Sequence, residues 1–169
     1  MEHNEDQLSN LPKVILHNIL SRLPEKDAAR TSVLSKAWLE TWHTLPILSF
    51  SDAKITWMFP PSDLGRMLFP ESMDDFVRRI EYFIDYVKRV LLKFYDNGLA
   101  IKKFNLTVSA ENVELPGYIA NDLDLWLKLA SESGVEVLEL CLPNGPNDEY
   151  YVVSKDVIEV KSLTELVLM

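Results

Sequence analysis

Cysteine is nearly absent: Cys141 is the one copy in 169 residues. A single thiol cannot close an intramolecular disulfide, so nothing in the sequence asks for an oxidising compartment. Glycine is almost as scarce. Its five copies, Gly65, Gly98, Gly117, Gly134 and Gly145, stand alone, which leaves no phosphate-cradling loop and no dinucleotide fingerprint. The three histidines, His3, His17 and His43, lack the spacing that would put two ligands on one face, and none pairs in sequence with Cys141. Asp122-x-Asp124 and Asp148-Glu149 lack the spacing and glycine of a calcium loop. No apolar run approaches the roughly 18 residues of a membrane span, and MEHNEDQ is unlike a signal or transit peptide. The expectation is an intracellular protein of the nucleus or cytoplasm. With no nucleophile, base and orienter in sight, no catalytic residue, cofactor or metal is assigned, and the protein is read as not an enzyme.

Positive charge is also short. Seventeen Lys and Arg face 26 Asp and Glu, a formal net charge of −9. Residues 1–103 carry 14 acids and 14 bases, whereas residues 104–169 carry 12 acids and 3 bases, so the second part holds the whole excess. A phosphate-binding protein needs a basic face, and this balance argues against nucleic acid. Arg22, Lys26, Arg30 and Lys36 could serve a helix-turn-helix reading, but Glu25, Asp27 and Glu40 interleave with them. Asn105-Leu106-Thr107 matches a glycosylation acceptor, a pattern that chance produces often.

What the chain does have is apolar residues, 47% of the total, enough to pack a core. Residues 1–8 read as a disordered tail. From Ser9 to Trp42 three short helices are predicted. Pro12 opens the first, and Ile15, Leu16, Ile19, Leu20 and Leu23 form one stripe on it. Pro24 ends that helix and opens the next, with Ala28, Ala29, Val33 and Leu34 as its apolar face. Ser35 is placed as the N-cap of a third, holding Trp38, Leu39 and Trp42. So small a unit cannot bury all these large side chains by itself, which calls for a partner.

Residues 44–72, rich in proline, read as an irregular linker with a short strand at 47–50. A long amphipathic helix is predicted from about 73 to 95, with Asn97-Gly98 as its stop, within a segment spanning 73–98. Over 99–169 the period changes. Phe104-Asn105-Leu106, Leu138-Glu139-Leu140 and Leu166-Val167-Leu168 recur at intervals of 34 and 28 residues as apolar-x-apolar strands. A helix near 122–132 carries Leu123, Trp126, Leu127 and Ala130 on one face and stops at Gly134. This is an irregular strand-helix repeat of leucine-rich character, and it closes on a strand, so it reads as a partial array. The fold class is α+β to α/β repeat: a three-helix unit at 9–43, a long helix, then the incomplete repeat.

The run SNLPKVILHNILSRLPEKDAARTSVLSKAWLETW resembles the F-box, through Leu11-Pro12, Ile15-Leu16, Ile19-Leu20, Leu23-Pro24, Ala28/Ala29-Arg30, Ser32-Val33-Leu34-Ser35 and Trp38 to Trp42. FIDYVKRVLL, IKKFNL and GVEVLELCL downstream are similar to the F-box/leucine-rich-repeat (FBD-like) proteins of plants. One departure is Ala37, where the family usually has a basic residue. The resemblance implies a substrate-receptor subunit of an SCF-type cullin–RING ubiquitin ligase. Its F-box would bind a Skp-type adaptor, and through it the cullin, while the repeat would bind an unknown protein target on loops such as 143–150. By matching positions, Leu11, Pro12, Ile15, Leu16, Ile19, Leu20, Leu34 and Trp38 are the expected adaptor-facing residues, with Leu23, Val33 and Trp42 expected inside. The competing reading is a truncated F-box interaction protein that binds the adaptor and recruits nothing.

Overall fold

The computed structural model describes residues 10–53, 73–108, 115–142 and 151–169. The tail, most of the linker and the 143–150 loop lie outside the described residues. The fold divides into two units, Met1–Ile47 and Leu48–Met169.

The first unit is helical: α1 spans Lys13–Leu20, α2 Glu25–Thr31 and α3 Lys36–Trp42. Pro12 and Pro24 do the same job twice. Each is an N-cap with φ −54° and ψ 142°. The carbonyl of Pro12 accepts from the N–H groups of Ile15 (2.8 Å) and Leu16 (3.2 Å), and that of Pro24 from Asp27 and Ala28 (both 2.9 Å). Proline suits this place because its fixed φ is already formed and its missing N–H has no partner to lose. Ser35 caps α3 with its side chain, accepting from the Trp38 N–H at 3.4 Å. The unit closes on Leu16, Leu20, Ala28, Trp38 and Leu45, with Leu11, Ile19, Ala37, Trp42 and Ile47 packed partly buried against them.

The second unit is mixed α/β. Its sheet has strand order β1-β2-β3-β4, with β1 Ile47–Ser51, β2 Lys103–Thr107, β3 Val137–Cys141 and β4 Glu165–Leu168. The last three strands are parallel. Between them run α4 (Met73–Asp96, before β2), α5 (Leu115–Glu132) and the single turn α6 (Lys155–Ile158). Phe104 pairs with Leu138 and Leu138 with Leu166; Leu106 pairs with Leu140 and Leu140 with Leu168. The three apolar-x-apolar triplets therefore lie side by side in register, as a strand-helix repeat requires.

One face of these strands is core. Ile80, Phe83, Val87, Leu91 and Phe94 of α4 recur every three or four residues, as do Ile119, Leu123, Trp126, Leu127 and Ala130 of α5. They cluster with Phe50, Phe104, Leu106, Leu138 and Leu140. Phe83 stands edge-on to Trp126 at 6.2 Å between centroids, and Phe50 meets Phe104 at 5.8 Å. Burying each such side chain stabilises the fold by about 1.5–3 kcal/mol.

Both longer helices end on a left-handed glycine, Gly98 at φ 61° and Gly134 at φ 78°. Beyond each, an N–H reaches back across the last turn: Leu99 to the Phe94 carbonyl (2.9 Å) and Val135 to the Ala130 carbonyl (3.1 Å). Glycine reaches this conformation without a Cβ penalty. The α5 helix starts at Leu115, earlier than the apolar pattern alone indicates. Pro116 explains this, since a first-turn proline gives up an N–H that is unpaired there anyway.

Candidate functional site

The predicted α1 stripe is wider than the core it meets. Leu16 and Leu20, one turn apart, point inward and are 2% and 1% exposed. Ile19 and Leu11 are half-buried at the edge. Ile15 is 42% exposed and Pro12 lies on the surface. Trp38, at 4% exposed, sits between the helices in the same core. Of the eight expected docking residues, Leu16, Leu20 and Trp38 pack into the core of the helical unit, whereas Leu11, Pro12, Ile15, Ile19 and Leu34 keep surface. Leu34 is exposed at 61%, because α2 stops at Thr31 and leaves the following turn outside the helix.

The same helix end overturns the expectation for Val33, which is not internal but 84% exposed. Leu23 also stands on the surface rather than inside, while Trp42 is half-buried against the core. Leu39, predicted on the third helix, is exposed as well, and one further surface residue carries no signal in the apolar pattern, Val14 (69% exposed). Val14 falls outside the three-four stripe, and only knowing which side of α1 packs inward reveals it as outward. The unit therefore leaves four large apolar side chains, Val14, Ile15, Val33 and Leu34, exposed. Ala37, where a basic residue was expected, packs partly buried, and its carbonyl accepts from the Thr41 hydroxyl at 2.6 Å.

His17 is tied to Thr44, Nε2 to Oγ1 at 3.2 Å. Burial, and then the Lys13 ammonium, push its pKa below the ordinary 6.5, and a backbone hydrogen bond involving Thr41 opposes them. The folded state thus takes up this proton less readily than the unfolded chain, which binds more protons just below pH 6.5. The stabilisation is complete above that value and is lost as pH falls through the folded pKa. Denaturant midpoints of the helical unit are expected to drop between pH 7.5 and pH 5.5, and His17→Gln to flatten that slope. An unchanged slope in the variant would remove His17 as its source.

On the other face of the sheet Glu139 accepts from Lys103 Nζ and Asn105 Nδ2, both at 2.6 Å. These two bonds lower its pKa, and both its oxygens are occupied. Asn105, the potential glycosylation residue, uses its amide nitrogen here, inside β2. The Tyr151 hydroxyl donates to Asp124; burial and this bond raise its pKa. These are closed polar contacts with no free nucleophile among them. No group of three metal-ligating side chains occurs among the described residues, and no described helix is long and apolar enough to cross a membrane.

Residues 8–50 match the F-box domain family. Over most of its length the chain is similar to an F-box/LRR-repeat protein of Arabidopsis thaliana, 33% identical over 138 residues, which is 80% of this chain and 24% of the relative. A second Arabidopsis F-box/LRR-repeat protein is 32% identical over 161 residues, 94% of this chain and 26% of the relative. An F-box/FBD/LRR-repeat protein of the same plant is 32% identical over 145 residues, 86% of this chain and 29% of the relative. The chain spans between 24% and 29% of the length of these three curated relatives. No solved structure matches it.

Proposed function

This chain carries an F-box domain at residues 8–50, and from that premise we propose that it docks on a Skp-type adaptor as the substrate-receptor subunit of an SCF-type cullin–RING ubiquitin ligase. The carrying observation is the coincidence of the F-box segment with a helical unit that leaves Val14, Ile15, Val33 and Leu34 in water. Large apolar side chains of this kind dominate interface energies, and truncating one that anchors a contact typically costs about 2 kcal/mol or more. The parallel-strand unit would hold the target. Ubiquitin transfer would belong to the conjugating enzyme that the assembled ligase recruits, so this chain's contribution is binding and positioning. The names of the relatives, F-box/LRR-repeat and F-box/FBD/LRR-repeat, point to the same non-catalytic kind of protein.

Calorimetry with a purified Skp-type adaptor tests this directly. The wild-type chain is expected to bind. Val14→Asp combined with Leu34→Asp is expected to weaken binding at least a hundredfold, since both side chains would carry a charge into an apolar contact. Both positions are on the surface, so the helical content of the variant stays that of the wild type. Adaptor binding undiminished in the variant, or absent in the wild type, would end the proposal.

A further inference from the structure

The outward side of α1 is electrically one-sided. From Gln7 to Pro24 the sequence holds no acidic residue, although the whole chain has net charge −9. Opposite the buried Leu16 and Leu20, Val14, Asn18 and Arg22 follow at four-residue spacing, and Ile15 lies beside them. Arg22 keeps the helical turn going past α1, its N–H reaching the Ile19 carbonyl at 3.2 Å. Lys13 stands at the other end, roughly 13 Å away along the axis. Both cations are exposed, and among the described residues neither forms an ion pair. Elsewhere in the unit the cations are compensated: Arg30 meets Asp27 at 3.2 Å and Lys36 meets Glu40 at 3.7 Å. The positive field of Lys13 is felt locally, since it helps depress the His17 pKa.

Resting on the docking reading above, we propose that α1 seats in an apolar groove of the adaptor whose two ends carry carboxylates, one facing Lys13 and one facing Arg22. An apolar strip bounded by two exposed cations, neither of them ion-paired among the described residues, is complementary to a groove of that kind and is repelled by a basic-ended one. Charges at the rim of an interface mainly set the rate of encounter and its salt dependence, while the apolar centre sets residence time. The acidic repeat unit would slow approach to an acidic partner. The two cations offset this locally and favour encounters made through the helical unit.

Stopped-flow association with a purified Skp-type adaptor, at low and at high salt, separates this from the docking reading. Lys13→Glu with Arg22→Glu is expected to slow association about tenfold at low salt, with the difference vanishing at high salt. Lys13→Gln with Arg22→Gln is expected to fall between. Val14→Asp is expected to lose binding at both salt concentrations. If charge reversal leaves the low-salt rate unchanged while Val14→Asp abolishes binding, the carboxylate-ended groove is wrong and the docking surface survives. If the wild-type chain does not bind the adaptor at all, both fall together.

Discussion

Trp38→Ala is expected to unfold the helical unit, not merely to trim its docking surface. The ring is 4% exposed and, among the described residues, shares a small core with Leu16, Leu20, Ala28 and Leu45. Emptying a buried aromatic site costs about 3–5 kcal/mol. A three-helix unit of this size has little stability to spare, so that cost is comparable to the whole. Hydrogen exchange over residues 13–42 reads the result: protection is expected to vanish in Trp38→Ala and to persist in Trp38→Phe, which fills most of the space. The adaptor would then be lost as a consequence of unfolding. Full protection in the alanine variant, with adaptor binding gone, would instead restore Trp38 to the contact surface.

The second large effect is expected at Phe104. It is fully buried, pairs across to Leu138, and rests against Phe50. Phe104→Ala is expected to cost the sheet unit about 3–5 kcal/mol. Its neighbour Asn105 points to the opposite side, where its amide holds Glu139. Asn105→Ala removes one partly exposed charge-assisted hydrogen bond and is expected to cost about 1–2 kcal/mol. Urea midpoints for the two variants measure the difference between adjacent residues of one strand. Equal losses would mean that the two faces of β2 are not a core and a surface.

Much of this architecture is legible without coordinates because its signals are local. Proline at 12 and 24, Ser35, and the glycines at 98 and 134 each decide a helix end through the backbone of one or two residues. The three apolar-x-apolar triplets identify strands that pair in register, since a period of two leaves a single face for the core. The docking surface is less legible, and the reason is geometric. Ile15, Leu16, Ile19 and Leu20 are equally apolar, and periodicity cannot divide them into the pair that meets Trp38 and the remainder that meets the edge or water. That division depends on where α3 packs, a relation between segments some twenty residues apart. Val33 and Leu34 raise the same difficulty, because their exposure follows from α2 stopping at Thr31.

The two left-handed glycines bear on how such a protein can change its length. Gly98 and Gly134 each join a helix to the next parallel strand by the same back-reaching hydrogen bond, and neither has a heavy atom within 4 Å of where a Cβ would sit. The joints are therefore uncrowded: their requirement is a torsion angle and not a fit to neighbouring side chains. The stretch from one joint to the next behaves as a cassette whose ends make no demand on the identity of the next segment. In an array where each unit touches chiefly its neighbours, a cassette can be duplicated, lost or exchanged at the cost of its own interfaces alone. If the chain is the receptor proposed above, such an exchange would supply a new target surface and leave the sequence of the helical unit unchanged.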